Sequence, residues 1–220
     1  MRKKLFPVLL LIATSTIFNS CKKESEPEPA TAAAPSGGGG SSSGAPSITS
    51  TYYFQAKIDG SWVTYQDGVG GFTSGTAGGN YGSTVNQEEQ SALMVTYPTY
   101  SGAYFFILKT FPGTASAADY ESMFSVRSYS YGINADTPGY PSGVDGAGIG
   151  FIDASGVEWR TDLGTHDQTG STFSITEHIA NPDGYSHRIS KATFSCKLYD
   201  GNGNVKTLTN GIFRGRSVLY

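Results

Sequence analysis

The chain has 220 residues, with 15 basic and 18 acidic side chains and a formal net charge of −3. An acidic chain without a basic stripe does not fit the nucleic-acid binders, whose affinity depends on clustered Lys and Arg. Its 29 glycines, 14 tyrosines and 12 phenylalanines, without helical periodicity, indicate many short strands joined by turns.

Residues 1–20 have the three parts of a secretory signal peptide. Residues 2–4 are basic, residues 5–12 form an apolar core, and residues 13–20 make a small, polar approach to Cys21. The apolar core is too short to cross a bilayer, since a spanning helix needs about 20 apolar residues. Removal of this segment takes away three basic residues and no acidic ones, so the mature chain is more acidic than the whole.

Cys21 follows this segment directly, with Ser20 before it and Phe18 at the third position before it. This arrangement resembles the lipobox of bacterial lipoproteins, in the relaxed form of the Bacteroidota. The resemblance implies that the Cys21 thiol is acylated and becomes the mature N-terminus. Three acyl chains would anchor the protein firmly, because each buried methylene contributes about 0.8 kcal/mol. The alternative is an ordinary signal peptide, which would leave Cys21 as an exposed free thiol.

Residues 21–47 are predicted to form a lipid-anchored flexible linker. The stretch KKESE, residues 22–26, resembles the charged signal that sends lipoproteins of that phylum to the outer face of the outer membrane. Its two leading lysines depart from the pattern and leave the periplasmic face as the alternative. Residues 25–47 carry no large apolar side chain that could offset the entropy of ordering. A Gly/Ser-rich coil over residues 22–47 would hold the domain roughly 30 Å from the lipid on average.

Residues 48–220 are predicted to form a single β domain, and its first elements have local signals. TYYFQAKI alternates between apolar and polar residues, and Asp59-Gly60 then turns the chain into SWVTYQD, a strong hairpin signal. GAYFFILKTF is apolar on both faces, as is typical of a central strand. ASAADYESMF is predicted as a short helix with Ser116 as its N-cap.

The second half of the domain continues the pattern of strands. GIGFIDASGVEWRTD predicts a hairpin about residues 153–156, GSTFSITEHI another strand, and RISKATFSCKLYD with VKTLTNGIFRG a closing pair. The alternation places Cys196 with Phe194 and Leu198, which predicts a small buried hydrophobe rather than a reactive thiol. Two glycine-rich stretches, residues 68–90 and 128–148, are predicted as long loops.

Alternating faces and frequent turns predict an all-β fold, an antiparallel β-sandwich with a partly closed β-barrel as the alternative. FQAKIDGSWVTYQ and ATFSCKLYDGNGNVKTLTNGIFRG resemble the opening and closing strands of small Bacteroidota lipoprotein domains of unknown function. The resemblance implies a β fold and display at the cell surface, but it does not indicate a molecular activity.

Motifs for catalysis or cofactor binding are incomplete in this sequence. Ser74 and Ser142 lack the Gly-x-Ser-x-Gly spacing of a nucleophile elbow. GAGIGF has Phe151 where a dinucleotide loop requires its third glycine. DGNGNV lacks the turn glycine and the final Glu of a calcium loop, which favours a plain hairpin. The sequence therefore predicts no catalytic residue and no cofactor.

Metal binding is likewise not predicted. His166, His178 and His187 lie apart, and none stands in a metal-ligand motif. The stretch THDQ, with Asp162 nearby, is the cluster that least resembles an ordinary loop. This stretch is either an ordinary solvated loop or a site in which His166 and Asp167 have a catalytic or metal-binding role.

Loop tyrosines are the remaining functional signal. Flat, amphipathic rings on a β scaffold can stack on sugars or anchor a protein partner. The alternative is a set of scattered surface tyrosines. The candidate ligand-binding aromatics are Tyr97, Tyr100, Tyr129, Tyr131 and Tyr140.

These observations predict a non-enzymatic lipoprotein of the outer membrane, exposed at the cell surface, whose β domain binds or presents a glycan or an envelope protein. A first alternative is a glycan-binding accessory of a polysaccharide-uptake system. A second is an envelope hydrolase, which would require carboxylates, or His166 and Asp167, to gather in one cleft.

Replacement of Cys21 by Ala tests the anchor. We expect the wild-type chain to fractionate with membranes and to be digested by protease on intact cells, as followed by immunoblot. Cys21→Ala should be lost from the membrane fraction, whereas the control Cys196→Ala should stay with it. Protection of the wild-type domain until lysis would place it in the periplasm, and membrane retention of Cys21→Ala would contradict lipid anchoring.

Overall fold

The computed structural model describes residues 44–82, 85–182 and 187–217. The predicted signal peptide, Cys21 and most of the predicted linker lie outside these ranges. The described residues form one sheet of 11 strands, and the paired strands run antiparallel. No helix within the described ranges is long and apolar enough to cross a membrane.

Most elements follow one another along the chain with short connections, and two longer connections span residues 129–145 and 161–171. The helix α1 spans Ala117–Met123. The strands are β1 (Tyr53–Ile58), β2 (Ser61–Gln66), β3 (Phe72–Tyr81), β4 (Gln87–Thr96), β5 (Gly102–Thr110), β6 (Arg127–Ser128), β7 (Gly146–Ile152), β8 (Glu158–Arg160), β9 (Thr172–Ala180), β10 (Arg188–Tyr199) and β11 (Val205–Ser217).

The sheet has the strand order β2-β1-β11-β10-β8-β7-β5-β4-β3 and curls into a half-barrel. It branches at β10, which pairs with β9 over most of its length and with β8 only at Tyr199. The curl brings β3 back to β11, where Arg216 Nη1 donates to the carbonyl of Ser74 at 2.7 Å. The predicted antiparallel all-β fold is confirmed, and it takes the form of a partly closed barrel.

The local signals for turns and for the helix are confirmed. Asp59 and Gly60 have φ angles of 49° and 83°, as the tight hairpin between β1 and β2 requires. Ser116 caps α1: its side chain accepts a hydrogen bond from the Asp119 amide, while the Asp119 carboxylate accepts one from the Ser116 amide.

The first glycine-rich stretch, predicted as a loop, instead contains the ten-residue strand β3. It pairs with β4 without interruption from Phe72 opposite Thr96 to Tyr81 opposite Gln87. Glycine and small residues weaken the local preference for a strand, so the sequence pattern pointed to a loop. Hydrogen bonds from the whole length of β4 override that preference, because strand pairing is a property of the tertiary context.

The core lies inside the curl and is built from aromatic rings. Phe105 lies at its centre, with ring centroids 5.2 Å from Phe213 and 5.8 Å from Phe173. Cys196 belongs to this core with 3% of its surface exposed, and burial raises the pKa of its thiol. The prediction of a buried, hydrophobic Cys196 is therefore confirmed.

The outer face of the central strands is filled by aromatic rings seated on glycines. Tyr104 of β5 lies opposite Gly150 of β7, and Phe106 lies opposite Gly148. A Cβ atom added at either glycine would fall 2.0 Å from a ring atom of its partner. The last two glycines of GAGIGF are therefore explained by packing, since only a residue without a side chain leaves room for these rings.

Substitution of Gly150 by Ala tests this packing. We expect Gly150→Ala to lower the free energy of unfolding by about 1–3 kcal/mol, because the ring of Tyr104 must move. The control is Gly75→Ala in β3, where an added Cβ meets nothing within 4 Å. The free energy of unfolding of Gly75→Ala should stay within about 1 kcal/mol of the wild-type value. Equal urea midpoints for the two variants would contradict the ring-on-glycine packing.

Candidate functional site

Two joined cavities flank the chain segment that follows β6, and together they form what we name the tyrosine cleft. Their volumes are about 350 and 260 Å³, and they share Tyr129 and Ser130. The larger cavity is lined by Tyr129, Ser130, Tyr131, Gly132, Ile133, Thr161, His166, Gln168 and Ser171. The smaller is lined by Ile107, Leu108, Lys109, Ser122, Met123, Arg127, Ser128, Tyr129, Ser130, Asp145 and Gly146.

Backbone hydrogen bonds hold the segment between the cavities in place. The amide of Tyr129 donates to the carbonyl of Phe173 at 3.0 Å, which ties the segment to β9. The amide of Gly132 donates to the carbonyl of Ala147 at 2.8 Å, which ties it to β7. A Cβ atom at Gly132 would lie 2.7 Å from the Val144 carbonyl oxygen, so glycine permits this close approach.

The hydroxyls of the two central tyrosines are engaged with backbone carbonyls. Tyr129 Oη lies 2.7 Å from the carbonyl oxygen of Ser125, and Tyr131 Oη lies 3.0 Å from those of Thr172 and Ser195. Burial raises the pKa of both phenols. The two side chains therefore offer ring surface to the cleft, while their polar ends stabilise its walls.

His166 supplies a hydrogen-bond donor to the larger cavity. Its backbone has a φ of 56°, and the ring of Tyr140 meets it edge-on with centroids 5.0 Å apart. Its Nδ1 is buried without a hydrogen-bond partner among the described residues. Buried donors without an acceptor are rarer than buried acceptors without a donor, so we assign Nδ1 as unprotonated. The proton then sits on Nε2 of a ring that lines the cavity.

Arg127 supplies positive charge to the smaller cavity. Its guanidinium carbon lies 4.5 Å from the centroid of the Tyr129 ring. Lys109 is paired with Asp145 at 2.7 Å, whereas no carboxylate among the described residues forms an ion pair with Arg127. The guanidinium is therefore held over the Tyr129 ring, shares a hydrogen bond with that side chain, and has no carboxylate partner among the described residues.

The structure brings three of the five candidate tyrosines together. Tyr129 and Tyr131 line the cleft, and Tyr140 reaches it through its contact with His166. Tyr97 and Tyr100 are 81% and 54% exposed at the turn between β4 and β5.

That turn is far from the cleft. Gln87, at the opposite end of β4, accepts a hydrogen bond from the Ala135 amide at 2.8 Å, in the loop that continues from the cleft. A ten-residue strand separates Gln87 from the turn, and such a strand is about 30 Å long. Tyr97 and Tyr100 therefore belong to a separate surface.

The residues around THDQ are not grouped into one site. Asp167 accepts hydrogen bonds from Lys197 Nζ at 2.5 Å and from the Thr169 amide at 3.0 Å. The Asp162 carboxylate instead accepts a hydrogen bond from Arg160. Across the described ranges, no three His, Cys, Asp or Glu side chains group closely enough to hold a metal ion.

A buried ion cluster lies on the outer face of the sheet beside these elements. Arg160 binds Asp162 through Nε at 2.7 Å and Nη2 at 2.9 Å, and Nη2 also lies 3.4 Å from Glu89. The Asp162 side chain is 2% exposed and that of Glu89 10%. The guanidinium carbon lies 4.5 Å from the centroid of the Phe106 ring. Two carboxylates thus gather around one cation, which can balance the charge of only one of them.

The ion cluster shifts the titration of its members. Burial raises the pKa of Glu89, although the positive charge of Arg160 opposes this. Burial also disfavours the charge of Arg160, but the hydrogen bonds and charge of Asp162 outweigh it and raise the pKa of Arg160. Glu89 is therefore the member whose charge the folded state disfavours.

Sequence reasoning missed Arg127, Arg160 and Glu89. Three charged residues, Glu158, Arg160 and Asp162, occupy every second position of the chain next to buried Trp159. This spacing predicts that the three charged side chains lie on one face of a strand. Nothing in the sequence near Arg127 indicates that it stacks on Tyr129, because the contact depends on how β6 pairs with β9.

Comparison with known proteins assigns no family. No protein-family model matches the chain, and neither a curated protein nor a solved structure matches it. The function must therefore be inferred from the residues and their geometry.

The ion cluster predicts a specific pH dependence of stability. Between the ordinary glutamate pKa of 4.5 and the raised pKa of Glu89, the folded state binds a proton that the unfolded chain has lost. The free energy of unfolding contributed by Glu89 therefore falls as pH rises through that interval. The free energy of unfolding can be measured by urea titration at a series of pH values. In Glu89→Gln, its decrease over this pH interval should be absent. The control Glu88→Gln, next to it on β4, should keep the wild-type slope, and a wild-type slope in Glu89→Gln would contradict the assignment.

Proposed function

We propose that this protein is a lipid-anchored lipoprotein of the bacterial outer membrane, displayed at the cell surface, whose half-barrel domain binds a ligand without transforming it. The placement is supported by the signal segment and by the cysteine at its end, in residues 1–21. The binding role is supported by one observation, the tyrosine cleft with its unpaired donors.

The groups of the cleft favour a small ligand that carries a carboxylate. Among the described residues, the guanidinium of Arg127 has no carboxylate partner, and the His166 ring, with its assigned Nε2–H, lines the larger cavity. Ser130 adds a hydroxyl where the two cavities meet. A planar guanidinium binds a carboxylate through two parallel hydrogen bonds, and the ring of Tyr129 beneath it adds apolar contact.

The other polar groups of the larger cavity are engaged within the domain. Ser171 donates its hydroxyl to Gln168 at 2.9 Å, and the Thr161 hydroxyl accepts from the Ile149 amide at 3.1 Å. These hydrogen bonds fix the wall that faces a ligand.

Titration of the full chain in detergent with benzoate, succinate and citrate tests this proposal. The protein has three histidines, so side-chain NMR resolves the His166 ring from the other two. We expect a saturable shift of the His166 signals with a carboxylate probe and none for His178. Arg127→Gln should weaken binding by about tenfold or more, the effect of losing a charge-assisted hydrogen bond.

Two further variants sharpen this test. Arg127→Lys keeps the charge without the planar donor pair and should bind less tightly than wild type. Tyr97→Ala removes an exposed aromatic side chain outside the cleft and should bind like wild type. The proposal would be refuted by the absence of a saturable shift with every carboxylate, or by wild-type affinity in Arg127→Gln.

A further inference from the structure

A second concavity, which we name the Trp62 groove, lies on the face of the sheet opposite the aromatic core. It crosses β1, β11 and β10 and has a volume of about 620 Å³, within the range of small-ligand sites. Trp62 lines it from β2, Gln55 from β1, Ile212 from β11 and Thr193 from β10.

Irregular strand pairing creates the groove. The register of β11 shifts against β1 between Gln55 and Lys57, and against β10 between Phe194 and Cys196. Gly211 lies at this irregularity, where a Cβ atom would come within 2.3 Å of the Phe194 ring. Such bulges bend a strand and redirect its side chains. Gly211 itself faces the core, where the Phe194 ring packs against it, and the bulge leaves Asn210 and Ile212 on the groove side.

The groups that line the groove are uncharged and can both donate and accept hydrogen bonds. Gln55 donates through Nε2 to the Pro46 carbonyl at 2.7 Å, which leaves its Oε1 as an acceptor. The hydroxyls of Thr172 and Ser195 lie 3.1 Å apart, so one hydrogen bond between them leaves further capacity on both. Asn210, with a φ of 52°, adds a second amide at the rim.

Trp62 supplies a large aromatic surface with an unpaired donor. Its Nε1 is buried without an acceptor among the described residues. A buried N–H without a partner is destabilising, and an acceptor oxygen of a ligand would remove that penalty. The Lys57 ammonium lies 5.3 Å from the centroid of the indole ring.

The strands beneath the groove leave no place for an added peptide strand. β1 pairs with β2 and β11, β11 pairs with β1 and β10, and β10 pairs with β11 and β9. Extended peptides bind sheets through an unpaired edge, which these three strands lack. The ligand must therefore be recognised by side chains alone.

We propose that the Trp62 groove binds a neutral oligosaccharide. A sugar ring presents an apolar C–H face, which suits the indole of Trp62, and a rim of hydroxyls, which suits the amides of Gln55 and Asn210. The uncharged lining sets this site apart from the tyrosine cleft and its guanidinium. The inference is therefore independent of the function proposed for the cleft, and it gives the glycan-binding alternative a site that contains none of the candidate tyrosines.

Calorimetric titration of the full chain in detergent tests the groove. The probes are maltopentaose, cellopentaose and xylopentaose for external polysaccharides, and chitopentaose for the N-acetylated sugars of bacterial envelopes. We expect saturable binding of at least one probe, and the probe that binds identifies the source. Trp62→Ala should weaken its affinity by about tenfold or more, the scale of a lost aromatic contact.

Two smaller substitutions test the groove even if Trp62→Ala does not fold. Asn210→Gly keeps the left-handed backbone and removes the amide, and Thr193→Val keeps the shape and removes the hydroxyl. Each should weaken sugar binding with an unchanged thermal midpoint, whereas Tyr97→Ala and Arg127→Gln should bind sugar like wild type. The inference is overturned if no neutral oligosaccharide binds, or if Asn210→Gly and Thr193→Val together leave the affinity unchanged.

Discussion

The packing of aromatic rings on glycine is the interaction on which the rest of the described structure depends. Because Gly148 and Gly150 have no side chains, the rings of Phe106 and Tyr104 lie flat on the outer face of the central strands. Arg160 packs over the Phe106 ring and binds Asp162, and the chain that follows leads to His166 at the tyrosine cleft. The lack of side chains at two positions of β7 thus influences, through this series of contacts, where the wall of a candidate binding site lies.

The domain has two concave surfaces with different chemistry. The tyrosine cleft is deep, holds an unpaired guanidinium and is walled by tyrosines whose hydroxyls are engaged with backbone carbonyls. The Trp62 groove is shallow, uncharged and lined by amides, hydroxyls and one indole. The ligands proposed for the two surfaces, a carboxylate and a neutral sugar, follow from this difference in chemistry. The two surfaces share no lining residue, but they are neighbours: Tyr131 of the cleft donates to the carbonyls of Thr172 and Ser195, which line the groove.

Short-range signals in the sequence predicted the elements that depend on them. Asp59-Gly60 specifies a hairpin because both residues accept a positive φ, and Ser116 with Asp119 closes a capping box within one turn of helix. The strand β3 escaped prediction because its glycines carry no pattern, and its hydrogen bonds come from β4. Among the candidate tyrosines, the sequence does not separate Tyr129 and Tyr131, which build the cleft, from Tyr97 and Tyr100, which project from a distant turn.

The sequence by itself determined the antiparallel β class, the hairpins, the helix cap and the burial of Cys196, while its export signal stays a prediction. Each of these is encoded by residues close together in the chain, through alternation, turn geometry or capping. Only the tertiary structure decided that Arg127 stacks on Tyr129, that Arg160 joins Glu89 to Asp162, and that a concave surface forms beside Trp62 where the register of β11 shifts. Those contacts join strands far apart in sequence, and their register is set by the packing of the whole curled sheet.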